Sequence, residues 1–109
     1  MEIQNKDSVF YELNDDNING FIEKGSKIVL LYMSNSSSST LQENNLETIY
    51  ESYSDKVDFG KVDVLTEQDF AINNNFRSFP VTLYYRDGNL EMSSAGVQSD
   101  IEMSLMSIL

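Results

Sequence analysis

Six consecutive apolar residues, Ile28-Val29-Leu30-Leu31-Tyr32-Met33, limit the fold more than any other segment. Strict alternation would mark a strand with one wet face. A run without alternation marks a strand covered on both faces, as central parallel strands are. Covering two faces takes helices, and helical patterns stand on either side of this run.

Val9 to Leu13 is β-prone, and Asn14 follows as an N-cap candidate, with Asp15 and Asp16 in a first turn where the helix dipole favours acids. Ile18, Phe21 and Ile22 recur at helical spacing before the stop signals Lys24 and Gly25. Past the apolar run lies a serine-rich segment. A helix follows with Leu46, Ile49, Tyr50 and Tyr53 on one stripe and a capping-box spacing at Ser39 and Gln42. Val57 to Val64 reads as a strand, and Thr66 as the cap of a short helix with Phe70 and Ala71. Val81 to Tyr85, the hairpin signal Asp87-Gly88, and Leu90 to Met92 give two antiparallel strands. Ser99 and Glu102 space a last capping box before Ile101, Leu105 and Ile108. The order is β-α-β-α-β-α-β-β-α, an α/β sandwich with a mixed sheet between helices.

The chain has 109 residues and 40% hydrophobic content, which predicts one domain over residues 1–109. Its net charge of -11 repels phosphate backbones and anionic bilayers, so neither nucleic acid nor a membrane is expected as partner. No apolar run nears the roughly 20 residues that cross a bilayer. The polar start Met1-Glu2-Ile3-Gln4-Asn5-Lys6 lacks a signal-peptide pattern, and a cytoplasmic monomer is expected. There is no cysteine and no histidine. That excludes a disulfide framework and argues against a zinc or haem site, so no metal and no cofactor are expected. Asp15-x-Asn17-x-Asn19-Gly20 has the opening of a calcium loop, but its twelfth position is Ser26 rather than a bidentate acid. The aromatic residues Phe10, Phe21, Tyr32, Phe59 and Tyr85 read as core.

The element order resembles that of the thioredoxin family along almost the whole chain. Tyr32–Thr40 resembles the segment leading into that family's Cys-x-x-Cys helix, and Lys61 stands where it has a lysine in the third strand. Arg77-Ser78-Phe79-Pro80-Val81 resembles the stretch ending in the family's cis-proline, Asp87-Gly88 its hairpin, and Gly96 a glycine beside the substrate groove. The resemblance places Ser36 at the position of the nucleophilic cysteine and Ser39 at that of the resolving one. It also implies a groove outlined by Asn35, Ser36, Phe79, Pro80 and Gly96 that holds extended peptides. The sequence departs from the family at Asn35, where tryptophan is usual. It departs again at Leu30, where many members bury an aspartate, and at Ser37-Ser38, which replace Gly-Pro.

Thiol–disulfide exchange needs a thiolate that attacks a disulfide and a second thiol that resolves the mixed species. Two serines can do neither, and with no histidine as base a serine hydrolase is also excluded. Two readings stay open. In one, the chain is a cysteine-to-serine form of a thiol-disulfide oxidoreductase, whose parent acts on protein disulfides and is served by a thioredoxin-type reductase. In the other, it is cysteine-free by nature and binds extended peptides or a protein partner without catalysis.

Overall fold

A computed structural model describes residues 5–109, so the expectation placed on the first four residues lies outside the described part. The elements are β1 (Phe10–Glu12), α1 (Ile18–Ile22), β2 (Ser26–Tyr32), α2 (Ser37–Tyr53) and β3 (Val57–Asp63), then α3 (Asp69–Asn73), β4 (Val81–Arg86), β5 (Asn89–Ala95) and α4 (Ile101–Leu105). The strands form one sheet in the order β1-β3-β2-β4-β5. β1, β3 and β2 run parallel, while β4 runs antiparallel to β2 and β5 antiparallel to β4.

The apolar run occupies the central strand. Ile28, Val29, Leu30 and Leu31 are all at 0% exposure, because alternate residues enter different layers. Val29 and Leu31 pack with Ile18 and Phe21 of α1 and Phe70 and Ala71 of α3. Ile28 and Leu30 pack with Leu46 of α2 and with Ile101, Leu105 and Ile108. The α1 layer sits close to the sheet at Gly60, where a Cβ would come within 2.7 Å of the Leu13 side chain and 2.9 Å of the Phe21 ring.

The helix starts differ from the sequence reading. Asn14 and Asn17 exchange side-chain bonds, the Asn14 amide donating to Asn17 Oδ1 at 2.8 Å and the Asn17 amide to Asn14 Oδ1 at 2.9 Å. α1 then begins at Ile18, leaving Asp15 and Asp16 in the preceding turn. Asp15 is used elsewhere: its carboxylate accepts from the Asp69 and Phe70 amides at 3.2 and 3.0 Å. A residue more than fifty positions away thus satisfies the first amides of α3, the task assigned to Thr66, whose hydroxyl donates instead to the Asp63 carbonyl. The same use of its carboxylate removes the first ligand of a calcium loop.

Ser39 and Gln42 form no capping box, because Ser36 caps α2 and Gln42 is fully buried. Gln42 Nε2 donates to Thr82 Oγ1 at 2.9 Å, and its Oε1 accepts from the Gln98 amide at 2.7 Å. The Gln98 side chain extends the network, Oε1 accepting from the Tyr84 hydroxyl at 2.6 Å and Nε2 donating to Ser104 Oγ at 2.7 Å. This chain of bonds joins α2, β4 and α4 through the segment after β5. Glu102, the other half of the expected Ser99 box, accepts from the Tyr53 hydroxyl at 2.7 Å. β5 runs past the expected Met92 to Ala95, as the outer strand of the hairpin, with a bulge opposite Tyr84 and Tyr85.

Burial raises the pKa of Tyr85 from 10.0 to about 12, and burial also raises that of Tyr84. Both favour the neutral phenol in the folded state. Their contribution to stability is complete below the unfolded pKa of about 10 and is lost as pH rises through the folded value. For Tyr85 the two-unit shift corresponds to about 3 kcal/mol. Urea midpoints measured from pH 9 to 12 should therefore fall steadily above pH 10. A Tyr85→Phe variant should show a shallower fall, and an equal slope in both proteins would refute the assignment.

Candidate functional site

The parallel strands β2 and β3 end where α2 begins, and loops from opposite sides of the sheet converge there. Leu31 is paired with Val81, and Val81 with Ala95. The residues just beyond these pairs, Tyr32, Pro80 and Gly96, therefore lie side by side at one end of the sheet. The Phe79–Pro80 peptide bond is cis. The Gly96 amide donates to the Pro80 carbonyl at 2.7 Å, fixing those two residues together. Gly96 has φ +81° with nothing within 4 Å of where a Cβ would stand, so the space above it is open.

Ser36 takes an extended conformation (φ -112°, ψ 129°) as N-cap of the 17-residue α2. Its Oγ accepts from the Ser39 amide at 3.4 Å and lies 3.0 Å from Ser38 Oγ. Ser39 is 1% exposed, and its Oγ accepts from the Met33 amide at 3.0 Å. The two hydroxyls thus differ: one is half-exposed at a helix end, the other is sealed beneath the loop. Among the described residues neither is bonded to a carboxylate or an amine, so nothing there activates a serine as nucleophile. Asn35 is exposed at the tip of the same loop.

Among the described residues, no hydrogen bond involves the backbone N–H or C=O of Ser78 or Phe79. These groups sit beside the loop that holds Asn35 and Ser36, without a protein partner. An apolar cavity of about 230 Å³ opens next to them. Its walls come from Met33 after β2, Val64 and Leu65 after β3, Ala71 and Ile72 on α3, and Phe79. Sequence reasoning placed Phe79 here and did not assign the others to a site, since they come from the end of β2, the turn after β3 and α3 with no shared motif. Their signal in the sequence is weak: Leu65 is a large apolar residue in a turn, and Ile72 one on the exposed side of α3.

Lys61 also reads differently in three dimensions. It pairs across the sheet with Leu30, the position at which a buried acid was absent from the sequence. Its Nζ instead meets Glu43 at 2.8 Å, Asp7 at 3.3 Å and Glu12 at 3.8 Å. Burial pushes its pKa down, but the Glu43 bond and charge, with Asp7, outweigh that and raise it. This lysine therefore stays charged and neutralises carboxylates from β1, α2 and the segment before β1.

A chain of a solved structure concerning the thiol-resolving mechanism in yeast mitochondrial 1-Cys peroxiredoxin via glutathione/thioredoxin systems superposes with a TM-score of 0.81. The match covers 91% of this chain and 94% of that chain, at 22% sequence identity. The fold is thioredoxin-like. No protein-family model and no curated protein matches the sequence. In the thioredoxin-like fold, the position that opens α2 belongs to Ser36, and the loop before β4 belongs to Phe79 and Pro80. Among the described residues no helix is long and apolar enough to cross a membrane.

Proposed function

We propose that this chain is a thioredoxin-fold module that holds an extended polypeptide across Asn35, Ser36, Phe79, Pro80 and Gly96 without exchanging disulfides. The unpaired backbone of Ser78 and Phe79 carries this reading. A strand laid beside it would supply the missing donors and acceptors, the β-augmentation mode of peptide recognition. The open space above Gly96 leaves room for that strand. Exchange chemistry has no reactant here, since it needs a thiolate and the chain has no cysteine.

Shift mapping by NMR with cysteine-free decapeptides tests the reading. The amides of Ser36, Phe79 and Gly96 should move while those of Gly20 and Lys24, outside this groove, stay still. Still amides at Phe79 and Gly96 under millimolar peptide would sink it.

A second reading is favoured by one observation: Ser36 and Ser39 occupy the N-cap and third helical positions of α2. That is the three-residue spacing of a redox pair at a helix start. In this reading the parent form carries cysteine at both places and reduces protein disulfides. The native gene decides between the two, because cysteine codons at 36 and 39 would replace the cysteine-free reading.

A further inference from the structure

The groove leaves open what kind of peptide it takes. Resting on that reading, we infer that the cavity between Met33 and Ile72 is an anchor pocket for one large apolar or aromatic side chain of a basic peptide segment. Three observations converge on this occupant.

The first is the chemistry of the cavity. Leu65 and Ile72 stand at its mouth with 40% and 64% exposure, and the only polar residue lining it is Gln68. Such a surface gains by excluding water. A cavity of about 150 Å³ with apolar walls accepts a benzene ring, so about 230 Å³ admits a phenyl or larger group.

The second is position. Phe79 contributes its side chain to the cavity while its backbone is unpaired. A peptide strand bonded to that backbone would send alternate side chains to opposite sides. One of those sides leads into the cavity, so anchor and strand pairing belong to one ligand.

The third is charge. From Val62 to Phe76, the segment that forms most of the cavity walls, the ionisable residues are Asp63, Glu67 and Asp69, all acidic. The lysine just before it, Lys61, is already held by Glu43, Asp7 and Glu12. Arg77 follows the segment and lines the adjoining cleft with Phe76 and Ser78, so three carboxylates stand against one guanidinium around the pocket and the balance stays negative. A ligand with lysines beside its anchor meets attraction at this rim, and one with glutamates meets repulsion.

The test uses the full chain and immobilised cysteine-free decapeptides that carry Phe, Leu or Ala at the centre and Lys or Glu beside it. The Phe and Leu peptides with lysine flanks should bind at least about tenfold more tightly than the Ala peptide, as expected for burial of one large apolar group. Glutamate flanks should weaken binding, and raised salt should narrow the difference between flanks. Ile72→Asp and, independently, Leu65→Asp should each reduce binding of the Phe peptide about tenfold or more. Met106→Asp, an exposed change on the far helix end, should not. Both affected residues are solvent-facing, and circular dichroism is to be recorded on each variant as the check of folding. Peptide binding that shifts Gly96 and Phe79 but ignores Ile72→Asp and Leu65→Asp overturns the pocket and leaves the groove standing. Tighter binding of glutamate-flanked peptides overturns the charge assignment. No binding by any peptide overturns pocket and groove together.

Discussion

The Ser36→Cys/Ser39→Cys protein is expected to close an internal disulfide and to reduce insulin disulfides at the expense of dithiothreitol, a reaction for which the present chain has no thiol. The expectation follows from where the hydroxyls sit. Position 36 caps a 17-residue helix and already accepts from the Ser39 amide, so a sulfur there would feel unpaired N–H groups and the positive helix end. If that setting lowers a thiol pKa from about 8.5 to about 7, the thiolate fraction at neutral pH rises roughly fifteenfold. Position 39 is sealed, with its side chain against the Met33 amide. The single variants should therefore differ: Ser36→Cys should be alkylated quickly by iodoacetamide and Ser39→Cys slowly. A folded double variant that forms its disulfide yet stays inactive would remove the support for a redox parent. Equal alkylation rates in the single variants would contradict the placement of the two side chains.

The largest loss of stability is expected from Gln98→Leu. The side chain of Gln98 accepts from the Tyr84 hydroxyl and donates to Ser104, and both partners are buried. Leucine fills similar space but takes away the acceptor of the phenol and the donor to Ser104, leaving those two groups only each other. The two lost bonds cost about 1–1.5 kcal/mol each in this buried setting, so a total of about 2–3 kcal/mol is expected. For a domain near this size that lowers the melting temperature by roughly 10–20 °C. Adding Tyr84→Phe and Ser104→Ala should restore much of the loss, since removing both partners of a bond can be nearly neutral. A triple variant less stable than Gln98→Leu alone would show that packing, rather than unmet hydrogen bonding, sets the cost.

The sheet was legible because its central strand declares itself. Only a strand buried on both faces tolerates Ile28 to Leu31 without a polar break, and the hairpin at Asp87-Gly88 fixed the antiparallel end. Capping was harder to read. Ser39, Thr66 and Ser99 looked like helix starts from local spacing, yet α3 takes its cap from Asp15, across the fold. Such a partner has no fixed distance along the chain. Gln42 and Gln98 hid for the same reason: glutamine is ordinarily a surface residue, and only their bonds to one another, Thr82, Tyr84 and Ser104 explain their burial. The candidate site divides in the same way. Ser36, Pro80 and Gly96 are reached through the thioredoxin resemblance, while local spacing puts the α2 cap at Ser39 rather than Ser36. The cavity beside them is assembled from α3 and from loops that share nothing but their meeting point.

The bonds that Ser36 and Ser39 make have one more consequence. A loop closed by two hydroxyls exists in a single covalent state, whereas one closed by two sulfurs has two and switches between them with the thiol pool around it. This surface keeps the same shape in an oxidising lumen and in a reducing cytosol. A peptide held there, as proposed above, would answer to its own concentration and to ionic strength, with no dependence on the electrons its surroundings have gained or lost.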